Sequence, residues 1–382
     1  MLEPRDAADL AEIVAEAAAN GRKLELRGGG TKAGFGAPRE AEAISLAGMA
    51  GVVDYDPAEL VLTLRAGTLL SDVQALVASE GQMLAFEPWG EPWGEQGATM
   101  GGTVAAGVAG SRRVTAGSAR DHLLGFKAVS GRGETYVAGA KVVKNVTGYD
   151  LPKLMAGSWG RIGAMTELTL KVLPRPRDVV TLAAEGLSPR AAHAAMACAL
   201  GSNAEVSAAA CLRDGKVLLR VAGFAPSVAA RCAALPGILA EHCRLERLPE
   251  EAAAPLWSSA MTGCDLAGKV RWDVHLPPRS APELAARLEA MGADWAMDWG
   301  GGRVWVATDA EDDAVRALAG RLGGEARLVQ APPEMRARIA AFHPRQPGVL
   351  ALEQRVRRSF DPAGVFASGR FGEDADADQL SA

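Results

Sequence analysis

The chain has 382 residues, enough for two domains, and its 48% apolar and 23% charged content is that of a globular protein. The formal net charge is −5 and basic and acidic residues are interspersed, so no basic face offers itself to nucleic acid. No apolar run reaches the roughly 18 residues that a spanning helix needs. The opening Met1-Leu2-Glu3-Pro4-Arg5-Asp6 lacks the apolar core of a signal peptide, which makes the cytoplasm the expected compartment.

Residues 4–19 have helical periodicity, with Leu10, Ile13, Val14 and Ala17 on one stripe and Asn20-Gly21 as a stop. A strand from Lys23 to Arg27 runs directly into Gly28-Gly29-Gly30-Thr31-Lys32. A strand-rich unit begins near Val52 and includes Val61 to Leu64, followed by a helix over 71–80. The stretch from Gly97 to Gly117 is dense in glycine, and strands are expected at 126–130 and 135–137. Leu173-Pro174-Arg175-Pro176-Arg177 reads as a linker. Beyond it, strands near 179–184, 205–210, 216–222, 269–275 and 303–307 interleave with helices near 189–200, 226–240, 281–290 and 311–321. That order predicts an α+β layer pair, an antiparallel sheet with helices on one face, in which a β-α-β-β grouping occurs twice. A last helix over about 347–360 precedes Phe360-Asp361-Pro362, and the residues from 372 to 382 read as a disordered acidic tail. Glu87-Pro88-Trp89-Gly90 is repeated at once as Glu91-Pro92-Trp93-Gly94, either a slipped tandem repeat in a loop or a paired-tryptophan surface.

Five cysteines, Cys198, Cys211, Cys232, Cys243 and Cys264, lie in the second half with no C-x-x-C pair. They fit reduced thiols and neither a disulfide framework nor an iron–sulfur or zinc site. A relay of electrons through metal clusters would therefore belong to another chain.

Two glycine loops carry the chemistry. A diphosphate is held by several donors at close range, and backbone amides serve best where no Cβ blocks the approach. Arg27-Gly28-Gly29-Gly30-Thr31-Lys32 matches a dinucleotide fingerprint only loosely, and alone it reads as a turn because no helix follows. Gly97-Ala98-Thr99-Met100-Gly101-Gly102-Thr103 runs on through Val104 to Gly107 and is short of large side chains, which favours a ligand. Gly263 to Val270 nearly matches a P-loop, but Val270 stands where a magnesium-binding hydroxyl is required.

With Gly117-Ser118-Ala119-Arg120-Asp121, Lys144-Asn145-Val146-Thr147-Gly148-Tyr149 and Gly157 through Gly163-Ala164-Met165, these loops resemble the FAD-binding domain shared by vanillyl-alcohol oxidase and p-cresol methylhydroxylase. The likeness covers about residues 4–174. Within that family it is greatest to the smaller FAD-binding subunits of bacterial glycolate-oxidising complexes, which also share the Phe360-Asp361-Pro362 to Gly369-Arg370-Phe371 ending. The resemblance implies a two-subdomain FAD-binding domain over 1–177, divided near residue 50. A smaller α+β, ferredoxin-like cap would follow over 178–330, then a C-terminal helix and return segment over 331–371.

It further implies that Gly28 to Lys32 and Gly97 to Thr103 wrap the pyrophosphate of FAD. Ser118, Asp121 and the Gly163-Ala164 backbone would border adenine and ribose, and Lys144, Asn145, Thr147 and Tyr149 would lie towards the isoalloxazine. Thr31 and Lys32 stand where some relatives tether FAD through histidine, so noncovalent FAD is implied. The implied partners are a larger FAD-binding catalytic subunit and an iron–sulfur subunit of a glycolate oxidase complex, with membrane contact at the inner face only through that complex.

The expected cap domain has only His193, His242 and His275, with no close pair. Asp273-Val274-His275 reads as a strand end before Pro277-Pro278, and Arg271 and Arg303 are candidate cations for a carboxylate. Three readings stand: an accessory or electron-relaying FAD subunit, a stand-alone 2-hydroxyacid dehydrogenase using His275 or Tyr149, and a scaffold that has lost its flavin.

Overall fold

The first helix, Ala7–Ala19, begins where the Asp6 carboxylate accepts from the amides of Ala8 and Asp9, both at 2.9 Å, and ends at Asn20. The computed structural model describes residues 1–39, 41–89, 97–140 and 148–372. Leu10, Val14 and Ala17 of this helix cover a parallel pair of strands, β1 (Leu24–Arg27) and β2 (Glu42–Ser45). The C-terminal segment returns to the same core through Val365 and Phe366, and the Leu24 amide donates to the Val365 carbonyl at 2.8 Å. Asp361 fixes this return by accepting from the amides of Val365 (2.8 Å) and Phe366 (2.7 Å).

Next come β3 (Val52–Asp56), β4 (Val61–Arg65), the short β5 (Gln82–Met83), β6 (Leu123–Val129), β7 (Thr135–Gly139), β8 (Ala164–Lys171) and β9 (Leu173–Pro174). Five of them form an antiparallel sheet in the order β3-β4-β8-β6-β7, while β5 pairs with β9. Leu62, Leu64, Leu168 and Leu170 bury one face of that sheet against the helices Leu70–Ser79 and Met100–Ala106. The second of these helices was not expected, because two glycines open it. It forms because Thr99 caps it and its first amides find acceptors at Ala66 and Thr68.

The rest of the chain builds an eight-stranded antiparallel sheet. Its strands are β10 (Asp178–Ala184), β11 (Ala208–Cys211), β12 (Val217–Gly223), β13 (Glu246–Leu248), β14 (Val270–His275), β15 (Asp294–Asp298), β16 (Arg303–Thr308) and β17 (Glu325–Gln330). The spatial order is β13-β10-β12-β11-β15-β16-β14-β17. Alternate residues such as Leu182, Leu219, Trp272, Val274 and Val306 bury one face beneath the helices Pro189–Gly201, Ala225–Ile238, Ala281–Ala290 and Ala314–Arg321.

The expectation of helices on one face needs a correction. Helix Glu250–Thr262 lies on the other face, where Trp257 and Ala260 pack on Ala183, Ala208, Ala210 and Leu218. It covers β10, β12 and β11 and reaches β15, and its Met261 carbonyl accepts from Arg303 and Trp305 of β16. The β14, β16 and β17 half is left to carry Asp273, His275, Arg303 and Arg327.

A polar seam joins the two sheets. Glu87 accepts from Arg220 at 2.7 and 3.3 Å, Trp299 Nε1 donates to the Gly110 carbonyl at 2.9 Å, and Ser111 Oγ donates to Asp298 Oδ2 at 2.9 Å. Trp89 lies in the same seam, donating to the Ala109 carbonyl at 3.2 Å, so the first copy of the Glu-Pro-Trp-Gly repeat is part of the packing. Residues 90–96, which hold the end of that copy and the second, lie outside the described residues, as does the expected tail beyond Gly372. No helix among the described residues is long and apolar enough to cross a membrane.

Burial pushes the Asp298 carboxyl up to about 7, against the pull of Arg303 and the bonds from Trp299 and Ser111. An acid with a raised folded-state pKa stabilises the fold while protonated. That contribution is complete below the ordinary value of 3.8 and is lost as pH rises through about 7. Asp298→Asn keeps the shape without the charge. Urea unfolding should show the wild-type midpoint falling more than the variant's between about pH 6 and about pH 8.

Candidate functional site

Two hollows meet beside the first glycine loop. The narrower lies between residues 25–33 and 98–106 and is closed by Gly160, Gly163, Met165 and Arg370. Its two loops touch. A Cβ on Gly28 would sit 2.1 Å from Thr99 Oγ1, and one on Gly29 would sit 1.6 Å from the Gly97 carbonyl oxygen. Gly28 and Gly29 are therefore glycine so that the loops can close on each other. Gly30 has φ +75° and open space where a side chain would stand.

The amides from Gly28 to Lys32 donate to no acceptor among the described residues. In the second loop the amides of Met100, Gly101 and Gly102 are already bonded, to Thr68 O (2.9 Å), Ala66 O (2.8 Å) and Thr99 Oγ1 (3.3 Å). The amides of Gly97, Ala98 and Thr99, like those of Gly28 to Lys32, donate to no acceptor among the described residues, so both loops keep free amides, the second only ahead of its helix. What Met100–Ala106 brings instead is the Thr103 hydroxyl, buried and without a partner. Gly101 is glycine for packing, since its Cβ would come 2.7 Å from Ala66 Cβ, whereas Gly102 would meet only Thr99 Oγ1, at 3.2 Å.

Arg370 holds the first loop from the C-terminal side, donating to the carbonyls of Lys32 and Phe35 and pairing with Glu25 at 3.3 Å. Its place in the Gly369-Arg370-Phe371 ending was the one signal for it in the sequence. Lys32 and Trp159 line both hollows. Trp159 stacks on Phe35 with ring centroids 4.3 Å apart. The Lys32 ammonium stands 5.4 Å from the Trp89 ring centre, and burial lowers its pKa to about 8.

The wider hollow encloses about 900 Å³, within the range of ligand pockets. Its floor is the open half of the larger sheet. Strand register sets His275 beside Arg303 and Asp273 beside Arg327. Arg303 Nε donates to Asp273 Oδ1 at 2.9 Å, and Arg327 Nη2 donates to Asp273 Oδ2 at 2.5 Å. His275 Nε2 lies 3.1 Å from Asp273 Oδ1 and 3.0 Å from Arg327 Nη2. Burial opposes charge on Asp273, but Arg303, Arg327 and His275 outweigh it and hold the carboxyl well below its usual range. Burial also lowers the pKa of His275, against the pull of Asp273, so the imidazole is neutral at neutral pH. Arg271, the other candidate cation, instead donates to the carbonyls of Gly263, Cys264 and Leu266.

Of the residues singled out in the sequence, Arg27 through Lys32, Ala98, Thr99, Gly101, Gly102, Thr103 and Gly163 line the narrow hollow, and Gly107 and Ser118 line the wide one. Gly97, Gly117, Asp121, Tyr149 and Ala164 line neither. Gly97 is a loop contact, and Gly117 has no room for a Cβ against Asp121. Asp121 accepts from the Ser118 amide at 2.8 Å, Ala164 is core, and Tyr149 is 95% exposed. Lys144, Asn145 and Thr147 lie outside the described residues.

A row of amides without acceptors, a buried hydroxyl without a partner and a track free of Cβ atoms fit a diphosphate-bearing cofactor. The family described as "FAD binding domain" matches residues 1–139. Glycolate oxidase subunit GlcE of Escherichia coli (strain K12) is 34% identical over 367 residues, covering 94% of this chain and 96% of that protein. Glycolate oxidase subunit GlcD of Bacillus subtilis (strain 168) is 30% identical over 186 residues, covering 48% of this chain and 39% of that protein. The solved structure of an alkyldihydroxyacetonephosphate synthase shares the fold with a TM-score of 0.65 at 15% identity, over 95% of this chain and 75% of that one. The α+β architecture, the glycine cradle and full-length similarity agree, and the chain belongs to the family of glycolate oxidase subunit GlcE, with an FAD-binding domain of the p-cresol methylhydroxylase type.

Proposed function

We propose that this chain is the FAD-holding, non-autonomous subunit of a complex that oxidises glycolate to glyoxylate. The observation that carries the reading is the row of unengaged amides from Gly28 to Lys32 facing the unpartnered Thr103 hydroxyl. Those amides and that hydroxyl would hold the diphosphate, each hydrogen bond to the charged group contributing about 1.5–3 kcal/mol. Lys32 would offset its charge. Bound FAD supplies a two-electron acceptor for the carbinol carbon of a 2-hydroxyacid. The FAD-binding part would run to about residue 177 and the cap from 178 to 330.

The similarity to a GlcD protein supports a larger partner subunit, and cysteines without paired spacing support an iron–sulfur partner as the electron exit. The location consistent with this reading is the cytoplasm, with contact to the inner face of the membrane through the complex.

Gly102→Val is expected to leave the fold intact and weaken FAD binding, because a branched side chain there meets only the Thr99 hydroxyl and the hollow. Thr103→Val weakens it about ten-fold. Gly101→Val differs from both: it collides with Ala66 and lowers the urea midpoint whether or not FAD is present. FAD titration beside circular dichroism separates the three variants.

No histidine or cysteine lines the narrow hollow among the described residues, and the FAD is read as noncovalent. Acid precipitation should leave the yellow colour in the supernatant; colour in the pellet would contradict this reading.

The lone FAD-loaded chain is expected to reduce dye with glycolate at least about 10²-fold more slowly than the reconstituted complex. Equal turnover would overturn the non-autonomous assignment.

A further inference from the structure

The helix Pro347–Phe360 is joined to the rest of the chain by its polar side. A surface helix ordinarily buries an apolar stripe and turns its charges outward. Here Gln354 is the one residue that the described residues bury fully, and Glu353 ties the helix to Arg161 at 3.1 Å. The apolar residues stay outside: Val349 is 52% exposed and Leu352 56%, with Val356 half-buried. Gly348, Leu352, Arg355 and Ser359 recur at helical spacing and form one exposed ridge, on a helix about 21 Å long.

Positive charge gathers on the same segment. Residues 333–358 hold six arginines, no lysine and two glutamates, in a chain whose net charge is −5. Four of the arginines are engaged: Arg336 and Arg338 donate to backbone carbonyls, Arg345 pairs with Glu325 and Arg357 with Glu353. Arg355 and Arg358 are exposed and form no ion pair among the described residues. The inner side of the helix gives Leu350, Glu353 and Arg357 to the wall of the wide hollow. The outer ridge therefore stands about one helix thickness, roughly 10 Å, from that chamber.

We propose that Val349, Leu352, Arg355 and Arg358 form the docking face for an acidic surface of the iron–sulfur partner subunit. Arginine is enriched at protein contacts and lysine depleted, which is the balance of this segment. A second copy of the chain fits poorly, because a two-fold contact would bring the same arginines together. Two exposed aliphatic side chains are also a narrow hold on a bilayer. Small contacts steered by charge suit electron-transfer partners. Lys32 and Trp159 line both hollows, so a cofactor held by the first loop opens onto the chamber behind this helix. The proposal rests on the reading of the chain as an FAD-holding subunit whose electrons leave through another chain, and it adds where that chain sits.

The experiment mixes this chain, loaded with FAD, with the purified larger subunit and the purified iron–sulfur subunit. Uptake of the iron–sulfur subunit is followed by sedimentation at about 0.05 M and about 0.3 M salt. Wild type is expected to take it up, more tightly at the lower salt. The double variant Arg355→Glu with Arg358→Glu, and separately Leu352→Asp, should each weaken uptake at least about ten-fold. Circular dichroism, FAD affinity and association with the larger subunit should stay as in wild type. Arg355→Lys with Arg358→Lys should keep most of the uptake. Wild-type uptake by the charge-reversed and Leu352→Asp chains overturns the docking face. So does loss of the larger subunit in place of the iron–sulfur subunit. Binding to phosphatidylglycerol vesicles, or self-association, that these variants abolish while uptake persists overturns it too. A chain that binds no FAD yet shows the expected variant-sensitive uptake would instead sink the functional reading and leave the face standing.

Discussion

Arg303 is a guanidinium almost without water, only 2% exposed, and the fold is arranged to keep it so. A buried charge is tolerated when it is paired and its protons are satisfied. Here Asp273 supplies the counter-charge, while the carbonyls of Ala109 and Met261 each accept at 3.3 Å. The faces of Trp305, Trp299 and Trp89 surround it at 3.9, 5.0 and 5.7 Å. These partners come from four separated places: the larger sheet, the segment after the glycine-loop helix, the loop before it that holds Trp89, and the helix on the sheet's second face. One side chain thereby ties the two halves together. Breaking such a pair costs about 3–5 kcal/mol, which fixes the end of β14 and with it the positions of His275 and Arg327.

The glycines separate into two roles by the same physical test. Where an added Cβ would strike the opposite loop or a packed strand, as at Gly28, Gly29 and Gly101, the glycine serves close approach inside the protein. Where it would meet open space, as at Gly30, or only a threonine hydroxyl, as at Gly102, the glycine keeps a track clear for something else. The loops therefore close on each other while the amides from Gly28 to Lys32 keep no acceptor among the described residues. A glycine-rich sequence alone does not distinguish these roles, because both give the same composition.

Much of the architecture was legible because it rests on local patterns. The Leu10-Ile13-Val14-Ala17 stripe and the Asn20-Gly21 stop mark the first helix, and short apolar runs between alanine-rich helices mark β10, β12, β14 and β16. Helix Met100–Ala106 was hidden because its stability comes from acceptors on Ala66 and Thr68, against the propensity of two glycines. Helix Glu250–Thr262 contains Pro255, which breaks the pattern that a reader follows. At the site, Asp273 and His275 were visible as a pair but read as a strand end. Their significance depends on Arg303, 30 residues from Asp273, and Arg327, 54 residues from it. Only the register of β16-β14-β17 brings them together. Tyr149, singled out by its motif, is 95% exposed and lines neither hollow.

The cations of the wide hollow follow a division similar to that of the glycines. Arg303, Arg345 and Arg357 are matched by carboxylates, and Arg336 is satisfied by the carbonyls of Gly36 and Ala331. These four hold the walls in place. Among the described residues Lys32 and Arg113 are matched by neither, and each lies over a tryptophan face. A low-dielectric cleft focuses such unbalanced charge towards its mouth and raises the local concentration of anions. Burial has already driven the Lys32 ammonium down to about 8, the response of a cation whose anion the protein does not itself provide. A diphosphate beside Lys32 would restore balance there.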